Sequence, residues 1–242
     1  MGVRYKVNEA FFKRWSPHMA YVLGFLYADG NIQYSPAIRG KYVRITNTDR
    51  DRIEIIRKLM GAEHNIVSLP QELKQQKQRF GLSIGNQKIY DRLVDIGMTP
   101  NKSLTMLFPQ MPSLCLSAFV RGYFDGDGCV CIEYSPIENG KSIKRMRTIF
   151  TSGSLSFLTT LKEMLATYAG MNQSYLHEHT KKGSYQLRYS TKQSVCLFKF
   201  MYKAPLPRGL YLKRKYAIFM QYFQARPKWI DLGVRRILQK TS

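Results

Sequence analysis

One stretch of this chain occurs twice. Val22-Leu-Gly-Phe-Leu-Tyr-Ala-Asp-Gly30 returns, altered, as Val120-Arg-Gly-Tyr-Phe-Asp-Gly-Asp-Gly128. Gly24, Ala28 and Asp29 match Gly122, Gly126 and Asp127, and 122−24, 126−28 and 127−29 all give 98. A constant offset is the mark of internal duplication, so the two halves must share one fold. Each copy reads as the end of a helix: a small residue, another four positions later, then an Asp-Gly stop.

The segments between the copies repeat as well. Ser16 is an N-cap before Pro17, and an apolar helical run follows to Ala28. Asn31–Tyr34 and Tyr42–Thr48 read as a hairpin, and Asp49–Met60 as an amphipathic helix stopped by Gly61. Asn65–Leu69 and Arg79–Ile84 form a second hairpin, and Asn86–Ile96 a helix ended by Gly97 and Pro100. From Leu114 the order returns. Helix Leu116–Phe124 precedes strands near Cys129–Ser135 and Lys144–Thr151, then helix Ser154–Tyr168 with Gly170 as its stop. Strands Tyr175–His179 and Tyr185–Ser190, helix Lys192–Tyr202 and helix Leu212–Gln224 complete it. The expected fold class is α+β, a tandem of αββαββα repeats spanning 1–103 and 114–226, with a linker at 104–113 and a tail at 227–242.

Charge narrows the partner. Lys and Arg number 38 against 16 Asp and Glu, a formal +22 with pI near 10.0. Such self-repulsion points to a polyanion, and nucleic acid leads. The strands agree: Val43 and Ile45 alternate with Tyr42, Arg44 and Thr46, and Met146 and Phe150 with Arg145 and Arg147. Leu187 and Tyr189 likewise alternate with Gln186 and Arg188. Each strand thus has one core face and one cationic or polar face. A ribbon of this kind fits a major groove, where Arg and Gln read base edges. No apolar run approaches the ~20 residues of a membrane span. The four Cys include no C-x-x-C pair, which leaves free thiols in a reducing, intracellular compartment. His177-x-His179 is expected at the surface or on nucleic acid, and Trp15 and Trp229 in packing.

The two acids carry the chemistry. A carboxylate on a helix's last turn faces the negative end of the macrodipole, a poor place without compensation. If the helices pack along Gly24/Ala28 and Gly122/Gly126, both acids arrive at one end, where a divalent cation relieves their repulsion. Few carboxylate ligands, with water and phosphate completing the shell, suit Mg²⁺. Asp125 has Tyr27 as its counterpart, so the duplicated chemistry does not need it; it caps or buttresses.

Both segments are similar to the signature that names the LAGLIDADG homing endonucleases, and the αββαββα order resembles that family's repeat. A single chain with two motifs looks like the monomeric members. The resemblance implies motif helices packed together and two sheets forming a DNA-binding saddle. It implies double-stranded DNA as partner and a cut across the minor groove that leaves 3′ overhangs. It implies two or three Mg²⁺ ions on Asp29 and Asp127, with Ca²⁺ bound but not supporting cleavage. Tyr27 stands in place of the first acid of motif one, and Arg121 in place of a small residue in motif two. By local alignment, Asn47 and Ser152 are the polar residues that position waters, and Lys102 and Lys213 the basic residues that act on phosphate or on the attacking water. Lys215 is a substitute for Lys213. On DNA, the first repeat is expected to use Gln33, Arg39, Lys41, Tyr42, Arg44, Lys77 and Arg79. The second is expected to use Cys131, Glu133, Lys144, Arg145, Arg147, Lys181, Lys182, Gln186 and Arg188.

A bacterial or phage-host cytoplasm, or an organelle matrix, is the implied location. Two other functions use the same surfaces: an intron-splicing factor that binds intron RNA, and an inert DNA-binding regulator. Two retained acids at helix ends favour cleavage over both.

Overall fold

A computed structural model describes residues 5–38, 40–71, 76–138, 140–180, 183–203 and 210–241. Arg39, Lys181 and Lys182 lie outside the described residues. The first repeat runs α1 (Pro17–Asp29), β1 (Gly30–Ser35), β2 (Gly40–Asn47), α2 (Arg50–Leu59), β3 (Ile66–Ser68), β4 (Phe80–Gly85) and α3 (Gln87–Asp95). The second runs α4 (Ser113–Asp127), β5 (Gly128–Ile137), β6 (Gly140–Ser152), α5 (Leu155–Ala169), β7 (Tyr175–Thr180), β8 (Ser184–Tyr189) and α6 (Thr191–Lys203). After it come α7 (Lys213–Ala225) and α8 (Leu232–Thr241). The α+β tandem expected from the duplication is therefore present, with the order αββαββα in both halves.

Each repeat builds a four-stranded antiparallel sheet, β1-β2-β4-β3 and β5-β6-β8-β7. The alternation expected of the strands decides which face is buried. Ile32, Val43, Ile45, Leu82 and Ile84 line the core face of the first sheet, against α2 and α3. Met146, Phe150, Leu187 and Tyr189 do the same in the second, under α5 and α6. Long-range contacts divide the chain into two compact units, Met1–Lys102 with Pro109–Gly126, and Ser103–Phe108 with Asp127–Ser242. By those contacts α4, up to its last residue, packs with the first repeat. Residues 103–108 pack with the second: the Ser154 hydroxyl donates to the Met106 carbonyl at 2.6 Å, and Phe108 stacks on Phe157.

Local signals set the helix ends. The Ser16 side chain accepts from Met19 N–H at 3.1 Å, the Asn86 amide from Ile89 at 3.0 Å, and Ser154 from Phe157 at 3.2 Å. Each such cap contributes about 1 kcal/mol. Gly170 ends α5 in the left-handed region at φ 65°. Gly30 differs. It enters β1 extended at φ −94°, and a Cβ there would lie 2.6–2.7 Å from Leu26, so closeness rather than φ demands glycine.

Two expectations change. The β5–β6 hairpin is longer than the expected strands: beyond a bulge at Lys144 the pairing runs on through Ile143, Ser142 and Lys141 to Gly140. The tail holds a helix, α8, capped by Asp231, whose Oδ1 accepts from Val234 N–H at 2.9 Å. Val234 and Ile237, three apart, bury one face against α6.

Candidate active site and nucleic-acid face

The site begins where α1 meets α4, inside the first compact unit. Met19 through Tyr27 are all buried, so α1 is enclosed on every side rather than amphipathic. At Gly24 a Cβ would clash with the Phe119 carbonyl and lie 2.9 Å from Tyr123 N. At Gly122 it would clash with the Tyr21 carbonyl and lie 3.0 Å from Phe25 N. Tyr21 and Phe25 become Phe119 and Tyr123 on adding 98, so the crossing is pseudo-twofold. Gly126 backs onto the Ala28 methyl, and a Cβ there would come 3.0 Å from Asp29 Oδ2. The small-residue stripes thus lie where the repeat placed them, and at Gly24, Gly122 and Gly126 only glycine fits.

Asp29, half-buried, closes α1. Its Oδ2 accepts from Asn47 Nδ2 at 2.6 Å. Asn47 is itself oriented, because its Oδ1 accepts from the Asp49 N–H at 2.6 Å, just before α2. Lys102 is buried, and its ammonium donates to the Ala28 carbonyl at 3.5 Å. A cation at that helix end offsets the dipole that disfavours Asp29. Sequence-expected Asp29, Asn47 and Lys102 therefore stand together in the first unit.

Asp127 closes α4 and is exposed. In the second unit, Ser152 ends β6 as Asn47 ends β2, and its hydroxyl accepts from Ser154 N–H at 3.1 Å. Lys213 is exposed on the first turn of α7, whereas Lys215 is buried. Lys215 and Arg214 face Cys129 on β5, two residues beyond Asp127. A hydrogen bond with Cys131 pulls the Cys129 thiol below its ordinary range; burial opposes that shift, and the charges of Lys215 and Arg214 reinforce it. Cys131, on the same strand face, is raised, first by that hydrogen bond and then by burial.

Asp125 points elsewhere. It is fully buried and accepts from the Tyr21 hydroxyl at 2.6 Å. Burial, followed by the Asp125 charge and hydrogen bond, raises Tyr21 well above the usual phenol range, with Arg52 opposing. The buttressing role expected of Asp125 is what its hydrogen bond supplies.

The outer faces of the two sheets differ. On the first, Asn31 and Gln33 of β1 stand opposite Arg44 and Tyr42 of β2, and Ser83 and Gly85 continue the rows. Arg44 lies over the Tyr42 ring at 5.7 Å. Lys41 has the other parity and pairs with Asp91 of α3 at 2.5 Å. Lys77 and Arg79 are exposed in the β3–β4 loop. On the second sheet, Cys131 and Glu133 face Arg147 and Arg145, while Gln186 and Arg188 of β8 oppose Thr151 and Ile149. Lys144 is the extra residue of a bulge, exposed beside this face. Arg145, Arg147, Arg188, Tyr175 and His177 line a hollow of about 430 Å³. Sequence reasoning named the arginines but missed Tyr175, which its register with Arg188 places among them.

Residues 115–201 match the family model described as a LAGLIDADG-like domain. The structure of the LAGLIDADG homing endonuclease I-LtrWI bound to target DNA superposes on 97% of this chain and 97% of its own, with TM-score 0.57 and 14% identity. The LAGLIDADG meganuclease I-AabMI bound to uncleaved DNA covers 93% of this chain and 97% of its own, with TM-score 0.56 and 14% identity. I-WcaI bound to its DNA recognition sequence covers 87% and 91%, with TM-score 0.57 and 12% identity. An uncharacterised protein of Methanocaldococcus jannaschii is 26% identical over 126 residues, 51% of this chain and 43% of that protein. The match therefore spans less than half of that relative's own length. Residues 115–201 are thus similar to a LAGLIDADG-like domain, and across nearly its whole length the chain has the fold of the LAGLIDADG homing endonucleases.

Proposed function

We propose that this protein is a site-specific double-strand DNA endonuclease that works as a monomer, hydrolyses both strands across the minor groove and leaves 3′ overhangs. One observation carries the reading. A duplicated helix crosses its copy through bare glycine backbone, and each copy ends on an acid. A fold needs glycine at the crossing; it has no need of a carboxylate at the disfavoured end of both helices.

The donors fit Mg²⁺. Asp29 and Asp127 are hard carboxylate ligands, and Asn47 and Lys102 hold the Asp29 end in place by hydrogen bonds. When bound, a divalent cation supplies Lewis-acid activation of water and neutralises charge on the phosphate. Asn47 orients what approaches the Asp29 carboxylate, and Lys102 places positive charge beside it. In the second repeat Ser152 takes the place of Asn47, and Lys215 or Lys213 that of Lys102. The cationic strands hold the DNA, so binding should weaken steeply with salt.

Asp29→Asn and Asp127→Asn are each expected to abolish double-strand cleavage while DNA binding persists. The check is cleavage of a selected site by plasmid linearisation, beside a gel-shift titration. Full linearisation by either variant at saturating Mg²⁺ would overturn the metal assignment.

A further inference from the structure

Three arginines on the outer face of the second sheet are held alike. Glu133 Oε2 accepts from Arg145 Nε at 2.6 Å, and Glu133 Oε1 from Arg147 Nε at 2.6 Å. Gln186 Oε1 accepts from Arg188 Nε at 2.8 Å. Each guanidinium is gripped at the nitrogen nearest its stem. That grip fixes the plane of the fork and presents the two terminal nitrogens together.

From this geometry we infer that the half-site facing the second sheet is read through guanines, by Arg145, Arg147 and Arg188, and that Glu133 and Gln186 are positioning residues for that readout. The inference rests on the DNA-binding reading above and names part of its substrate. A planar donor pair matches the O6 and N7 acceptors that guanine alone presents side by side in the major groove. Phosphate is the competing ligand for these arginines, and Glu133 decides between the two. A carboxylate on this face repels the backbone, whereas a base edge carries no net charge. On a chain of net +22, an acid between two arginines works against general affinity and in favour of orientation. Burial raises Glu133, but the Arg145 hydrogen bond and the charges of Arg147, Arg145 and Lys144 prevail, so the carboxyl lies below the usual range and stays ionised.

Register sets the spacing. Arg145 and Arg147 are two residues apart on β6, about 6.6 Å along the strand, close to two base-pair steps of about 3.4 Å. Arg188 stands on the neighbouring strand β8 opposite Ile149, the next outward position of β6, one more such interval along the strand direction and about 4.8 Å to the side. The expected footprint is three guanines, on either strand, each about two base pairs from the next.

The test is a binding selection from a randomised duplex library with Ca²⁺ in place of Mg²⁺, followed by affinity measurements on single-base variants of the selected site. One half-site should carry the three guanines, and replacing any one by adenine should weaken binding about tenfold or more. Arg145→Ala, Arg147→Ala and Arg188→Ala should each relax one position. Glu133→Ala is the sharpest variant: affinity for random DNA should rise while guanine discrimination falls several-fold. A merely structural role predicts equal weakening on all DNA, and that result overturns the inference, as do selected sites without these guanines. Recovery of no duplex at all would instead sink the DNA-binding reading itself.

Discussion

At the crossing of α1 and α4 the two repeats are alike in backbone and unlike in side chains. Gly24 meets Phe119 and Tyr123 as Gly122 meets Tyr21 and Phe25, one relation written twice with an offset of 98. One turn away the symmetry breaks. Tyr27 meets Phe119 edge-to-face at 5.4 Å. The equivalent pair, Asp125 and Tyr21, is a buried hydrogen bond of 2.6 Å. Both partners differ, not one: where the first repeat has Tyr27 in place of Asp125, the second has Phe119 in place of the Tyr21 hydroxyl. A close backbone contact has no tolerant substitute, whereas a side-chain pair can change if its two members change together. The site follows the same rule, since Asn47 and Ser152 keep one backbone turn while their reach differs.

The strongest way to break the comparison is at the glycines. Gly24→Ala and Gly122→Ala each drive a methyl into a carbonyl of the opposite helix, and overpacking against backbone is expected to cost about 3 kcal/mol, equally at the two positions. Urea unfolding of both variants measures it; a loss at one site alone would deny the pseudo-twofold crossing. Next come the lysines of the second repeat. Lys215→Met keeps the stem packed and removes the charge, and is expected to slow cleavage about 100-fold. Lys213→Ala, on an exposed side chain, should change it less than about threefold. Single-turnover rates on a selected site decide, and the reverse order would return the role to Lys213.

Legibility in the sequence follows the same division. Glycine and acid positions were readable because duplication repeats them at one offset, and strand faces because alternation has a period of two residues. Helix α1 shows no amphipathic period, being buried all round, and only its caps and apolar run mark it. The helix in the tail carried its own signal, Asp231 three residues before Val234, which the surrounding basic residues obscured. Residues defined by tertiary reach were not readable. Lys213 and Lys215 differ by two positions in one charged run, and only the packing of α7 against β5 makes one exposed and the other buried. Lys41 looked like its neighbour Arg44 in composition, yet its parity turns it toward Asp91. Glu133 was named as a DNA contact; its clamp on two arginines needs the cross-strand register to be seen.

The smallest effect tests the coupled pair. Tyr21→Phe strips a buried carboxylate of a donor and should cost about 1–3 kcal/mol. The equivalent change on the other side, Phe119→Leu, removes an edge-to-face contact and should cost about 1 kcal/mol beyond lost area. Two drifted but coupled pairs make a sharper claim. Tyr21→Phe with Asp125→Tyr rebuilds on one side the Phe119–Tyr27 pair of the other. If the pairs are interchangeable units, that double variant should be more stable than the two single costs together require, with an interaction energy of about 0.5–3 kcal/mol in a double-mutant cycle. Strict additivity would mean that Arg52, Arg121 or other neighbours, rather than the pair, hold Asp125 in place. Its place matters because Asp127 is two residues on along the same helix.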